Sequence, residues 1–285
     1  MHVRRRGVRG VVLAIASMAA LAPPSATRAL AAVSDSAGWI SVCPFSHRAQ
    51  VDPIVAPHMR SMHMHDFFGN TTTDRNSTYK SLLAGGTTCF IKRDRAAYWI
   101  PTLVLKSSGK RVRPREGNFY YRAITRPVRS VRPYPRGLKI VAGNADATRP
   151  QRMSIVYWGC GDGGPSKDFN HPVDCGGGWV TAHINFPDCW DGTHVDSANH
   201  ESHMAYSIDP ADDGRYRCPK KHPVPVPRLI FALEWPVHDG GKVKLSSGPY
   251  YTLHGDFFNA FVQSKLRSLV INCIRAGRDC GKPGT

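Results

Sequence analysis

Long apolar runs are scarce in this 285-residue chain. Beyond the first 31 residues no stretch is long enough to cross a bilayer, which excludes a membrane-spanning helix there. None of the eight cysteines stands in C-x-x-C spacing, which speaks against a thiolate zinc site. Acids are thin: 21 Asp and Glu face 38 Lys and Arg. There is no internal repeat, no low-complexity tract and no composition shift that would mark a domain seam. No nucleic-acid-binding motif occurs, and charge alone is blind to base sequence, so nucleic acid is not the expected partner. Helical periodicity is nearly absent and confined to one late stretch.

What is present begins with an export pattern. Arg4, Arg5, Arg6 and Arg9 precede an apolar run over residues 11–21, and Ala29-Leu30-Ala31 has the small-x-small form of a cleavage site. Residues 1–31 therefore read as a signal peptide, with twin-arginine export permitted by the Arg pair. Residues 32–285 read as a single secreted domain. All eight cysteines lie in that part, and an even count in an exported chain argues for disulfides, with connectivity left open. The same part carries 33 cations against 21 acids, a net +12. Residues 92–139 alone hold 14 Lys/Arg against Asp94 and Glu116. Such a segment attracts polyanions, so an anionic polysaccharide or cell-wall polymer is the expected partner. Nothing in the sequence sets the oligomeric state.

Short strands separated by Gly, Pro and Asn dominate the pattern. Residues 98–105 read as a strand with a turn at 107–110, and residues 118–124, 138–142 and 153–158 supply further candidates. The clearest strand spans 179–186, where Val180, Ala182, Ile184 and Phe186 alternate with Thr181, His183 and Asn185. Residues 228–235 alternate as well. Residues 33–60 look irregular. One helix is expected over 257–274, with Asp256 or Asn259 as its cap. The fold class is all-β: a single-domain β-sandwich or jelly roll with one C-terminal helix.

The chemistry-bearing residues gather in four stretches. In the first, His63 and His65 would share one strand face, with Asp66 next to them. Two imidazoles so placed can grip a metal or act as an acid/base pair. The second stretch holds His183, Asn185 and Asp191. The third holds His200, His203 and Tyr206, and the fourth His254 and Asp256. The expectation is that the fold gathers His63, His65, His183, His203 and His254 into one histidine-rich cleft.

The combination His63-x-His65, Phe186-Pro187-x-Cys189-Trp190-Asp191-Gly192, Ser202-His203-Met204-x-Tyr206 and His254-Gly255-Asp256-Phe257 resembles the secreted family of unknown function numbered nineteen-ninety-six. The resemblance covers about residues 39–280. Cys175 and the Gly-rich stretch 161–178 fall outside its pattern. It implies a secreted domain and carries no catalytic residue over. His63-Met64-His65-Asp66-Phe67 is also similar to the copper-ligand strand of copper/zinc superoxide dismutases, but the histidine-bearing zinc loop that should follow is missing.

Three functions follow from these features. The first is a carbohydrate-active enzyme. As a polysaccharide lyase it would use Asn185 or His183 to neutralise a uronate, and Tyr206 or His203 to move the proton. As a glycoside hydrolase it would use two carboxylates from Asp66, Asp191, Glu234 and Asp256. The second is a metal-binding protein, with His63 and His65 on zinc or copper and His183, His203 or His254 completing the shell. The third is a non-catalytic wall-binding protein. The expected cofactor is accordingly none, or a divalent metal such as zinc or copper.

Overall fold

The structure is a computed structural model and describes residues 37–284. The expected signal peptide, residues 1–31, lies outside the described residues. In chain order the strands are β1 (Gly38–Ala49), β2 (His65–Gly69), β3 (Ala97–Pro101), β4 (Leu103–Leu105), β5 (Glu116–Arg122), β6 (Lys139–Gly143), β7 (Val156–Cys160), β8 (Val180–Asn185), β9 (Cys189–Trp190), β10 (Met204–Ala205), β11 (Val224–Pro225), β12 (Arg228–Trp235), β13 (Val243–Leu245) and β14 (His254–Phe258). The α-helices are α1 (Tyr79–Ala84) and α2 (Gln263–Leu269). Nine strands form one antiparallel sheet in the order β6-β14-β3-β2-β1-β5-β12-β8-β7.

β1 is the corner of that sheet. Its first part, through Pro44, pairs with β5, and Phe45 to Ala49 pair with β2, with a register break between Phe45 and His47. A bulge of this kind lets one strand pass from one layer to the next. The irregular chain expected over residues 33–60 is thus corrected to a 12-residue strand. Pro44 disguised it, because proline has no N–H for a ladder. It is tolerated here because it stands where β1 leaves β5.

The sheet folds over itself at this corner into a sandwich. Trp39, Tyr98, Phe119, Tyr121, Phe231 and Phe257 are buried between the halves. Tyr98 of β3 stacks on Phe119 of β5 with ring centroids 3.9 Å apart. Gly255 of β14 lies so close to β8 and β12 that a Cβ would come within 2.9 Å of Ile184 and 3.1 Å of Phe231. A second, smaller apolar cluster that includes Phe67, Trp99, Phe258, Ile54 and Leu82 covers the other face of β2, β3 and β14. Every residue of those three strands is therefore buried. Along β5, β8 and β12 burial alternates instead, and the outer face is only partly covered.

The C-terminal helix is present but starts late. Phe257 and Phe258 belong to β14, and α2 begins at Gln263 with no side-chain cap, so neither Asp256 nor Asn259 plays that part. It runs on as a π-helical turn over Val270–Arg275. All eight cysteines pair: Cys43–Cys89, Cys160–Cys175, Cys189–Cys218 and Cys273–Cys280. The Cys160–Cys175 bridge closes most of the Gly-rich stretch over residues 161–178. Among the described residues no helix is long and apolar enough to cross a membrane.

Candidate functional site

Three imidazoles converge at the end of the doubly buried half. The ladders set two of them. His65 of β2 pairs with Pro101 of β3, and the register of β3 with β14, Trp99 opposite Asp256, puts His254 in the same row on the far side of Pro101. Two strand spacings separate those backbones by roughly 9.5 Å. The rings lean together over Pro101, and their centroids lie 5.8 Å apart. His63, just before β2, closes the group: its ring centroid lies 4.4 Å from that of His65 and 5.0 Å from that of His254. One ligand atom from each of the three falls within 4.8 Å of the others. Asp52, His65 and Asp256 form a second such group, sharing His65.

Hydrogen bonding fixes the tautomers. His65 Nδ1 is 2.9 Å from the Val51 carbonyl, and His254 Nδ1 is 2.8 Å from the Thr252 carbonyl. A carbonyl only accepts, so each Nδ1–H donates and each Nε2 carries a lone pair. His63 Nε2 lies 3.1 Å from His254 Nε2. Metal-binding histidines are oriented in this way, one nitrogen tied to a carbonyl and the other free. Burial, and after it the charge of a neighbouring imidazole, holds His65 and His254 down to about 3, so both are neutral. Burial also lowers His63.

The same place leaves polar atoms without partners. His65 Nε2 and both carboxylate oxygens of Asp256 are buried with none. Burial, with Asp52 close by, raises Asp256 well above the usual carboxylate range. Each orphaned group costs about 1–3 kcal/mol. A cation bound by the three Nε2 atoms, with Asp256 beside them, would satisfy all of these groups together. Imidazole ligands suit zinc or copper better than magnesium or calcium, which prefer oxygen. The cluster opens on a cavity of about 510 Å³, where His63, His254 and Asp256 meet Met62, Asn199 and Glu201. Two of the three histidines line that cavity, which leaves room for water or substrate on a metal, as catalytic zinc sites do.

The other sequence candidates lie elsewhere. Asp66 points away from His65 and is buried in an ion pair with Arg48, with Thr102 Oγ1 donating to it at 2.8 Å. His203 has both nitrogens engaged, with Ser197 Oγ at 2.9 Å and the Lys139 carbonyl at 2.7 Å, so it staples its loop to β6. Tyr206 donates to the Asn185 carbonyl, and the Asn185 amide donates to the Ser154 carbonyl. Asp191 holds a turn, accepting from the backbone of Thr193 and His194. His183 sits on the outer face of β8, stacked on Tyr157. The structure thus gathers His63, His65, His254 and Asp256, and leaves His183, Asn185, Asp191, His203, Tyr206 and Asp66 outside that group. Asp52 joins it unforeseen, because it lies in the stretch read as irregular. Its one cue was an acid shortly before the His-x-His run.

No curated protein and no solved structure matches the chain significantly. The family model described as Domain of unknown function (DUF1996) matches residues 52–261, from Asp52 through all three converging histidines, and the chain belongs to that family.

Proposed function

We propose that this is an exported metalloenzyme acting on carbohydrate, with zinc or copper held by His63, His65 and His254. The observation that carries the reading is the convergence of three imidazoles, two of them with Nδ1 tied to a backbone carbonyl and with Nε2 turned to the cluster, where that of His65 has no partner. A metal there would polarise a bound water or a substrate oxygen. Asp256 would take up or return the proton. The cavity beside it is lined by hydroxyl and amide groups, among them Ser246, Ser247, Asn144 and Asn199, which suit sugar hydroxyls. The reaction is hydrolysis or β-elimination of a polysaccharide or cell-wall polymer. Export is supported by four disulfides, which persist in oxidising compartments, and by the Arg-led apolar start of the chain.

Elemental analysis of protein purified without a metal-affinity tag tests the centre. The expected result is near-stoichiometric zinc or copper, lost in the His63→Ala, His65→Ala double variant. Metal content that is substoichiometric and unchanged in that variant removes the centre. Incubation of the loaded protein with a polysaccharide panel tests the activity. New unsaturated ends mark a lyase and new reducing ends alone mark a hydrolase. No product from any polymer refutes the enzyme.

A further inference from the structure

The outer face of the other half of the sandwich holds a groove that the metal centre does not explain. The ladders place Asn118 of β5, Ala232 of β12, His183 of β8 and Tyr157 of β7 in one row across four strands. Ala232 is the smallest side chain of that row, and a cavity of about 520 Å³ lies over it. On one side His183 stacks on Tyr157, centroids 4.6 Å apart and planes within 2°, which leaves its nitrogens without protein partners among the described residues. On the other side a braced wall rises. Arg115 donates to Glu234 at 2.8 Å and lies 3.9 Å over the ring of Trp179. Asn118 Oδ1 is buried in the floor with no partner.

The chemistry of these groups selects the ligand. Asn118 Oδ1, Glu116 and Glu234 are acceptors, so the ligand must be rich in donors. The Arg115 charge is spent on Glu234, and Glu116 adds a negative one, so an anionic chain would be repelled. Ala232 and the methyl group of Thr181 give the lining its apolar surface. A sugar meets all three conditions, with hydroxyl donors on its edge, C–H groups on its face and no charge. We infer that this groove binds a neutral hexose oligosaccharide. It stands on residues separate from the metal centre and holds whether or not that centre is catalytic.

Isothermal titration of the full exported chain with cellohexaose, laminarihexaose and mannohexaose, each in low and high salt, tests the inference. At least one should bind, with affinity unchanged by salt because no charge is involved. Ala232→Leu fills the floor and should weaken binding about tenfold or more. Asn118→Ala removes the unpaired acceptor and should cost about tenfold. Melting temperatures equal to that of the native chain show that both variants fold. The His63→Ala, His65→Ala variant should bind as the native chain does, which separates this site from the metal centre. Absence of binding by all three hexaoses overturns the inference. So does native affinity in Ala232→Leu, or binding confined to uronans and lost in high salt.

Discussion

Every residue of β2, β3 and β14 is buried, whereas along β5, β8 and β12 every second residue reaches the outer surface. The two halves of one sheet thus meet water differently, and their polar groups differ accordingly. In the doubly covered half His65, His254 and Asp256 are buried, and His65 Nε2 and both Asp256 carboxylate oxygens have no partner. In the half-covered one His183, Asn118 and Glu234 stand at a groove where water and ligand can exchange. The lesson is that burial on both faces leaves polar groups without partners, whereas burial on one face leaves them open to exchange with solvent.

The comparison can be broken at several points. The largest effect should follow loss of His65 and His254 together: zinc affinity should fall by several orders of magnitude, read by competition with a chromogenic chelator, while hexaose binding stays. Loss of both at once would show that the halves are not independent. Next in size is the buried ion pair under the same half. Arg48→Ala leaves the Asp66 carboxylate buried and uncompensated, and urea unfolding should show a loss of about 3–5 kcal/mol. An Arg48→Met, Asp66→Leu double variant should recover most of it.

A third effect lies at the seam between the halves. Burial raises Asp94 to about 6, against the hydrogen bonds from Ser41 and Tyr98. The folded chain keeps this proton where the unfolded chain has released it. The stabilisation is therefore full below the ordinary value of 3.8 and fades as pH rises through about 6. The span corresponds to roughly 3 kcal/mol. Urea unfolding of Asp94→Asn against the native chain should show the difference in stability between about pH 4 and about pH 6.5 shrinking by that order. An unchanged slope would place the titration elsewhere. The smallest effect belongs to the open face: His183→Ala should cost about 0.5–1.5 kcal/mol in urea unfolding, because it removes only the stack on Tyr157.

The same difference in burial explains what could be read in advance. β8 and β12 were legible because one face is wet, and alternation appears only when the two faces differ. The end of β14, Phe257 and Phe258, reads as the start of a helix because a strand buried on both sides shows no period of two. β1 was missed because Pro44 sits inside it, and only the corner in the sheet makes that proline acceptable. His63 and His65 stood out as a pair. His254 could be named only as one of several histidines, since its place in their row depends on the register of β3 between β2 and β14. His203 looked equally promising and is consumed by two hydrogen bonds.

Composition and local pattern by themselves determined the all-β class, the use of cysteine for disulfides and the family, because these depend on residue type and near-neighbour spacing. Tertiary structure alone decided which histidines meet, which acids are stripped of partners and which sheet face stays open. Those properties come from strands far apart in sequence lying in one row, and from how many layers cover them.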